Sequence, residues 1–136
     1  MKQRITSINR EFIWLVILWN ILIADDLKIH RFNVKSYIHK LWADAVVYEA
    51  NSLNEVIEDV FDIEFDLLIL DINMPGSEQL EDFVSQAVKY TKVIIFSEYD
   101  KLDPRVENLL KIGADAFLSK SSSQEQVINT LQFLFS

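Results

Sequence analysis

Five short apolar runs recur at even spacing along the chain, and stretches with helical spacing separate them. The runs predict β-strands at 21–25, 45–49, 66–71, 92–97 and 116–119. The third run contains four consecutive apolar residues at 67–70, which is typical of a strand covered on both faces in a parallel sheet. Strands that alternate with helices therefore predict an α/β fold, with a parallel sheet between two helical layers.

The segments between these strands predict five helices with one apolar face each. Ser52 and Glu55 form a capping-box sequence, Pro104 suits a first helical turn, and Gly113 suits the position after a helix end. The predicted apolar faces are Ile29, Phe32, Ile38 and Leu41 in 28–42; Leu53, Val56, Ile57 and Val60 in 52–61; Leu80, Phe83, Val84 and Val88 in 77–88; Val106, Leu109 and Leu110 after Pro104; and Val127, Ile128, Leu131 and Leu134 from about Gln124. Right-handed crossovers then favour a flavodoxin-like (βα)5 doubly wound parallel sheet with strand order 2-1-3-4-5.

Charge and composition exclude several classes of function. The 136 residues suffice for one domain with a core, and the net charge is -8. Nucleic-acid binding by this chain alone is disfavoured, because phosphate contacts require clustered lysine and arginine. No cysteine is present, which excludes disulfides, thiolate metal sites and a cysteine nucleophile.

The amino-terminal residues resemble a secretory signal, since basic residues precede an apolar stretch over 12–24. That stretch is too short to cross a bilayer, and cleavage after Ala24 would remove most of the first predicted strand. We therefore predict an extension of unknown role at 1–19, one domain at 20–136, and no membrane attachment.

Polar side chains follow the predicted strands at one edge of the sheet. Asp25 and Asp26 end the first strand and Asp71 ends the third, which is its neighbour in the predicted order. Unpaired carboxylates placed this close repel by roughly 1–4 kcal/mol per pair, and Mg²⁺ relieves such repulsion with its preference for oxygen ligands. Ser97 and Lys120 end the fourth and fifth strands, so a hydroxyl and an ammonium join the cluster. Each residue alone has a structural explanation, whereas together they favour a site for a phosphoryl group on a carboxylate.

Four motifs resemble the receiver domain of bacterial two-component response regulators over 21–135. They are Ile-Leu-Ile-Ala-Asp-Asp at 21–26, Leu-Leu-Ile-Leu-Asp-Ile-Asn-Met-Pro at 67–75, Ile-Ile-Phe-Ser at 94–97 and Gly-Ala-Asp-Ala-Phe-Leu-Ser-Lys at 113–120. Lys-Ser at 120–121 and Phe-Ser-Glu-Tyr-Asp at 96–100 are most similar to receivers of helix-turn-helix transcriptional regulators.

This resemblance implies a role for each site residue. Asp71 is expected to accept a phosphoryl group from a sensor histidine kinase. Lys120 and Ser97 are expected to contact the phosphoryl oxygens, and Phe117 to change position with Ser97 as a switch. For Mg²⁺, the resemblance implies ligation by Asp26 directly, by Asp25 largely through water, by Asp71, and by the backbone carbonyl of Asn73.

The same resemblance implies properties of the whole protein. A cytoplasmic location is expected, with Mg²⁺-dependent self-phosphorylation and slow autodephosphorylation but no turnover as an enzyme. The surface of the predicted fourth helix, fifth strand and fifth helix is expected to bind a partner or form a homodimer. Any DNA contact would belong to an output domain outside these residues. The Lys-Ser pair favours a receiver cut from a transcription regulator over a single-domain protein.

Three departures and three alternatives accompany the resemblance. Glu98 replaces the usual small residue, Gln79 a common glycine, and Ser121 a frequent proline. A phosphatase like the haloacid dehalogenases is disfavoured because Asn73 occupies the position of their general acid. A flavin carrier is disfavoured because acidic residues, rather than a phosphate-binding loop, follow the first strand. The remaining alternative is a pseudo-receiver, a protein-interaction module that works without phosphorylation, and Glu98 is what keeps it open.

Overall fold

The computed structural model describes residues 19–136, which form one parallel sheet between two layers of helices. The strand order is β2-β1-β3-β4-β5, as predicted. Along the chain the elements are β1 (Asn20–Ala24), α1 (Lys28–Leu41), β2 (Val46–Ala50), α2 (Leu53–Asp62), β3 (Leu67–Asp71), a 3₁₀ turn (Ser77–Gln79), α3 (Leu80–Ala87), β4 (Lys92–Ser97), α4 (Pro104–Ile112), β5 (Ala116–Ser119) and α5 (Gln124–Leu134).

Strand β3 lies at the centre of the sheet, and all five of its residues are buried. It pairs in parallel with β1 on one side and with β4 on the other. Because side chains alternate along a strand, Leu68 and Leu70 face the core under α2, α3 and α4, whereas Leu67 and Ile69 face the core under α1 and α5. This double burial explains the continuous apolar run in the sequence.

The predicted strand bounds differ from the structure by at most one residue. The fourth and fifth strands match the prediction, while β1 and β2 each lie one residue away from it. The third predicted helix is divided, because the 3₁₀ turn precedes α3. As a consequence Asp25 lies just beyond β1 rather than within it, and Asp71 is the last residue of β3.

The predicted apolar face of α1 is wrong in its first half. Ile29 is 60% exposed and Phe32 is 64% exposed, whereas Val34 and Ile38 are the buried residues of this helix. Val34 and Ile38 are four residues apart and face the core beneath α5. The helix therefore packs on the core mainly from Val34 onward, and its first turn lies beside the carboxyl edge of the sheet.

Capping explains where several helices begin and end. Ser52 Oγ accepts a hydrogen bond from Glu55 N at 3.3 Å, but Glu55 Oε1 accepts from Asn51 N rather than from Ser52, so the predicted capping box is only half formed. A complete capping box, absent from the prediction, joins Ser123 and Gln126 at the start of α5. At the end of α4, Gly113 has φ +132°, a region that favours glycine.

An aromatic cluster lies at the opposite end of the sheet from the predicted site. The rings of Trp19 and Trp42 stack at 5.2 Å, and Phe135 meets both edge-on. Trp19, counted above with the amino-terminal extension, thus packs on the domain, and residues 1–18 lie outside the described part. No helix within 19–136 has the length and apolar character needed to cross a membrane.

Candidate functional site

The turn after β1 holds the carboxylate of Asp25 in place. The backbone N–H of Asp25 donates to Ala50 O at 3.0 Å, which continues the pairing of β1 with β2. Its Oδ1 accepts from Leu27 N at 2.9 Å, so the side chain folds back onto the start of α1. The side chain is fully buried, while that of the next residue, Asp26, is exposed.

Asp71 reaches the same edge from the central strand. It pairs with Phe96 of β4 and is 1% exposed, and its Oδ1 accepts from Asn73 N at 3.0 Å. The chain then turns away through Gly76, whose φ of +87° favours glycine. A Cβ on Gly76 would lie 3.2 Å from Leu53 Cβ, so the turn also packs closely on α2.

Three carboxylates meet at this edge. Asp25, Asp26 and Asp71 each offer an oxygen within 4.8 Å of the others. Strands β1 and β3 are hydrogen-bonded neighbours, and adjacent parallel strands deliver their carboxyl ends to one place. The arrangement forms an acidic pocket that could hold a metal ion.

Lys120 lies between the two buried carboxylates. Its Nζ is 2.9 Å from Asp25 Oδ2 and 3.0 Å from Asp71 Oδ2, and its side chain is 7% exposed. The residue follows β5, and its backbone N–H donates to Ser97 O at 2.9 Å. One ammonium thus faces a cluster of three acids, and negative charge remains for a cation to neutralise.

Burial and charge shift the titration of this pair. Burial raises the pKa of Asp71, and the hydrogen bond from Asn73 and the Lys120 ammonium only partly oppose it. Burial by itself lowers the pKa of Lys120, but its contacts with Asp25 and Asp71 outweigh that effect and raise its pKa. Lys120 therefore stays charged at neutral pH, whereas the ionised form of Asp71 lowers the stability of the folded state.

The oxygens of the cluster fit a hard divalent cation. Asp71 Oδ2 is buried and pairs with the Lys120 ammonium at 3.0 Å. Asp26 offers an exposed carboxylate beside it. Ligands made only of oxygen, with one side open to solvent, are what Mg²⁺ and similar ions prefer.

The remaining predicted residues surround this pocket. Ser97 ends β4 one position beyond the partner of Asp71, is fully buried, and its Oγ accepts from Tyr99 N at 2.9 Å. Phe117 is half-buried and packs against the core under α2, α3 and α4. Both Asn73 and Glu98 are exposed at the carboxyl edge.

The sequence prediction missed two residues of α1 that contact Asp25. His30 Nδ1 lies 3.1 Å from Asp25 Oδ2, and Arg31 Nη1 donates to the carbonyl of Asp25 at 2.6 Å. Arg31 also pairs with Glu49 of β2 at 3.0 Å. In the sequence, the only indication was that both residues lie near the start of the helix that follows Asp25 and Asp26. Whether they contact Asp25 depends on how the helix packs, which the sequence pattern did not predict.

The chain is similar in sequence to known response regulators. Nitrate/nitrite response regulator protein NarL of Escherichia coli (strain K12) is 33% identical over 113 residues, which cover 82% of this chain and 52% of NarL. Response regulator UvrY of the same organism is 22% identical over 119 residues, which cover 86% of this chain and 54% of UvrY. The chain spans about half the length of these relatives.

Solved structures share the fold. The receiver domain of the putative response regulator NarL from Mycobacterium tuberculosis has a TM-score of 0.71 at 24% identity, covering 85% of this chain and 94% of that one. Chemotaxis response regulator CheY4 of Vibrio cholerae has a TM-score of 0.72 at 24% identity, and the match covers 86% of this chain and 98% of CheY4. The sequence model of the family described as response regulator receiver domain matches residues 21–132 of this chain. With the acidic pocket at the carboxyl ends of β1 and β3, this match establishes that the chain belongs to the response regulator receiver domain family.

Proposed function

We propose that the chain is the phosphoacceptor receiver of a two-component system. Asp71 accepts a phosphoryl group from the phosphohistidine of a sensor histidine kinase, and the resulting change of conformation controls an output domain or a partner. One observation supports this most: Asp71, a buried carboxylate at the carboxyl end of the central strand, lies within 4.8 Å of carboxylate oxygens of Asp25 and Asp26 and pairs with Lys120 Nζ at 3.0 Å.

Mg²⁺ is the proposed metal. Asp26 and Asp71 would bind it directly, together with the backbone carbonyl of Asn73, and Asp25 would bind largely through water. When bound, the ion neutralises charge on the phosphoryl oxygens and on the attacking carboxylate. The exposed carboxylate of Asp26 leaves that side of the pocket accessible to a hydrated ion.

The transfer forms one bond and breaks one. Asp71 Oδ2 attacks phosphorus, the P–N bond to the histidine breaks, and the imidazole leaves with the electron pair of that bond. Lys120, already beside Asp71, pairs with a phosphoryl oxygen as charge develops there.

The conformational response begins at Ser97. Its Oγ is engaged by Tyr99 N at 2.9 Å, and in the proposed response the hydroxyl turns toward a phosphoryl oxygen. Phe117 is half-buried and moves inward as Ser97 leaves its position. A local change of charge thereby biases a two-state element that extends to the protein surface.

The partners follow from this role. A sensor histidine kinase supplies the phosphoryl group, and the surface of α4, β5 and α5 offers a place for a homodimer or another partner. The protein is expected to act in the cytoplasm without membrane attachment, and any DNA contact belongs to an output domain outside this chain. The acyl phosphate forms and hydrolyses slowly on the chain itself, which makes it a signalling domain and not a turnover enzyme.

Intact mass measured after incubation with acetyl phosphate and Mg²⁺ tests the proposal. We expect one phosphoryl adduct that hydroxylamine removes, as for an acyl phosphate. Chelating the metal with EDTA is expected to suppress the adduct, because the acids of the pocket then lack their counter-ion. If neither acetyl phosphate nor a kinase donor produces an adduct, the chain is a pseudo-receiver that works without phosphorylation.

Glu98 is expected to slow the approach of an anionic donor. It is exposed directly after Ser97, at the mouth of the pocket, so Glu98→Ala should raise the rate of labelling by acetyl phosphate about two- to fivefold at low salt. The difference should narrow in high salt, which screens exposed charges. Glu107→Ala, which removes an exposed acid on α4, is the matched control and should leave the rate unchanged. Equal rates for Glu98→Ala and wild type would exclude this barrier.

A further inference from the structure

His30 lies in the first turns of α1, against the acidic pocket. Its Nδ1 is 3.1 Å from Asp25 Oδ2, and its ring meets Phe96 edge-on at 6.3 Å. The side chain is 20% exposed. Because an ionised carboxylate can only accept hydrogen bonds, the hydrogen of this contact belongs to Nδ1 of the imidazole.

The Asp25 carboxylate has three donors, two from the start of α1 and one from the residue that follows β5. Leu27 N donates to its Oδ1, while His30 Nδ1 and Lys120 Nζ both approach its Oδ2. The carboxylate is fully buried, so losing a donor cannot be compensated by bulk water. Of the two groups at Oδ2, Lys120 is shared with Asp71 and His30 is not.

The proposed role of Lys120 in phosphoryl transfer makes the other donor, His30, important. As its ammonium pairs with a phosphoryl oxygen on Asp71, its contact with Asp25 weakens. We propose that His30 is a positioning residue that holds the Asp25 carboxylate toward the metal site while Lys120 serves the phosphoryl group. This inference rests on the proposed phosphoacceptor function. Hydrogen-bonded partners of direct metal ligands commonly change metal affinity 10- to 100-fold when removed, and because Asp25 acts largely through water we expect the lower end of this range for His30.

The test measures Mg²⁺ affinity by isothermal titration calorimetry, with and without beryllofluoride as a phosphoryl mimic. His30→Leu is expected to weaken Mg²⁺ binding about tenfold, and more strongly with beryllofluoride than without. His30→Asn is expected to recover most of the affinity, because its amide N–H occupies roughly the place of the imidazole Nδ1–H.

His39 provides the matched control. It lies on the same helix and its Nε2 contacts the carbonyl of Ala45 at 3.0 Å, far from the pocket along the helix axis. His39→Leu should therefore leave the Mg²⁺ dissociation constant at the wild-type value. Thermal melting of each variant, followed by circular dichroism, identifies any that are not folded under the conditions of the titration.

The outcomes separate this inference from the proposed function. Equal Mg²⁺ affinities for wild type, His30→Leu and His39→Leu would overturn the role of His30 while leaving the phosphoacceptor intact, as would equal losses for His30→Leu and His30→Asn. Failure of wild type itself to bind Mg²⁺ or beryllofluoride would overturn both. If His30→Leu does not fold, long-range ¹H–¹⁵N spectra of the wild-type beryllofluoride complex test the same contact. A hydrogen on Nδ1 of His30 supports the proposal, and a tautomer with its only hydrogen on Nε2 contradicts it.

Discussion

Replacing Asp71 with asparagine is expected to abolish the acyl phosphate completely while the domain stays folded. The amide has nearly the same shape and can still accept from Asn73 N, but it lacks the anionic oxygen that attacks phosphorus in the proposed function. Intact mass after incubation with Mg²⁺ and acetyl phosphate measures the adduct directly.

Asp66 provides the matched control for that variant. It is another buried aspartate, 3% exposed, directly before the opposite end of β3, where its Oδ2 accepts from Asn20 N at 2.9 Å. Asp66→Asn preserves an acceptor for this bond and should retain the full adduct. A phosphoryl adduct on Asp71→Asn at the wild-type level would show that another residue is the acceptor.

The same asparagine variant should be more stable than wild type when no metal is bound. Burial raises the pKa of Asp71, so the ionised carboxylate opposes folding above that pKa, and removing the charge should stabilise the fold by on the order of 1 kcal/mol. The difference should shrink as the pH falls and Asp71 becomes protonated in the folded protein. Urea denaturation at several pH values measures this trend. A difference in the free energy of unfolding between Asp71→Asn and wild type that grows toward acid pH would contradict it.

Lys120→Met is expected to be the most destabilising change at the site. The ammonium is 7% exposed and touches two buried carboxylates, and removing one partner of a buried ion pair typically costs about 3–5 kcal/mol. Methionine keeps much of the side-chain length and apolar stem, so the loss comes mainly from the uncompensated charge of Asp25 and Asp71. Urea denaturation gives the free energy of unfolding of each variant.

Mg²⁺ should recover part of that stability. A divalent cation bound at the pocket replaces the missing positive charge, so the free energy of unfolding should rise more with Mg²⁺ for Lys120→Met than for wild type. Lys101→Met, at an exposed lysine in the loop after β4, should change stability by less than about 0.5 kcal/mol. Equal small losses for the two lysine variants would mean that Lys120 does not compensate the buried acids.

The sequence determined the architecture of this domain because its pattern and its topology agree. Four consecutive apolar residues at 67–70 require cover on both faces, and the alternation with helices admits few arrangements that supply it. The positions of Asp25, Asp26 and Asp71 follow from the same logic. Since parallel neighbours end at one edge, three acids at strand ends converge whatever the details of packing.

Only the tertiary structure decided which face of α1 is buried and what surrounds Asp25. Ile29 and Phe32 are apolar and suitably spaced, yet they remain exposed because the helix packs on the sheet through the face that carries Val34 and Ile38. His30 lies four residues before Val34, on the same face of the helix, and this placement brings its ring to the buried carboxylate of Asp25. Apolar spacing identifies a helix, but contacts at its ends depend on its orientation, which is set by packing against distant parts of the chain.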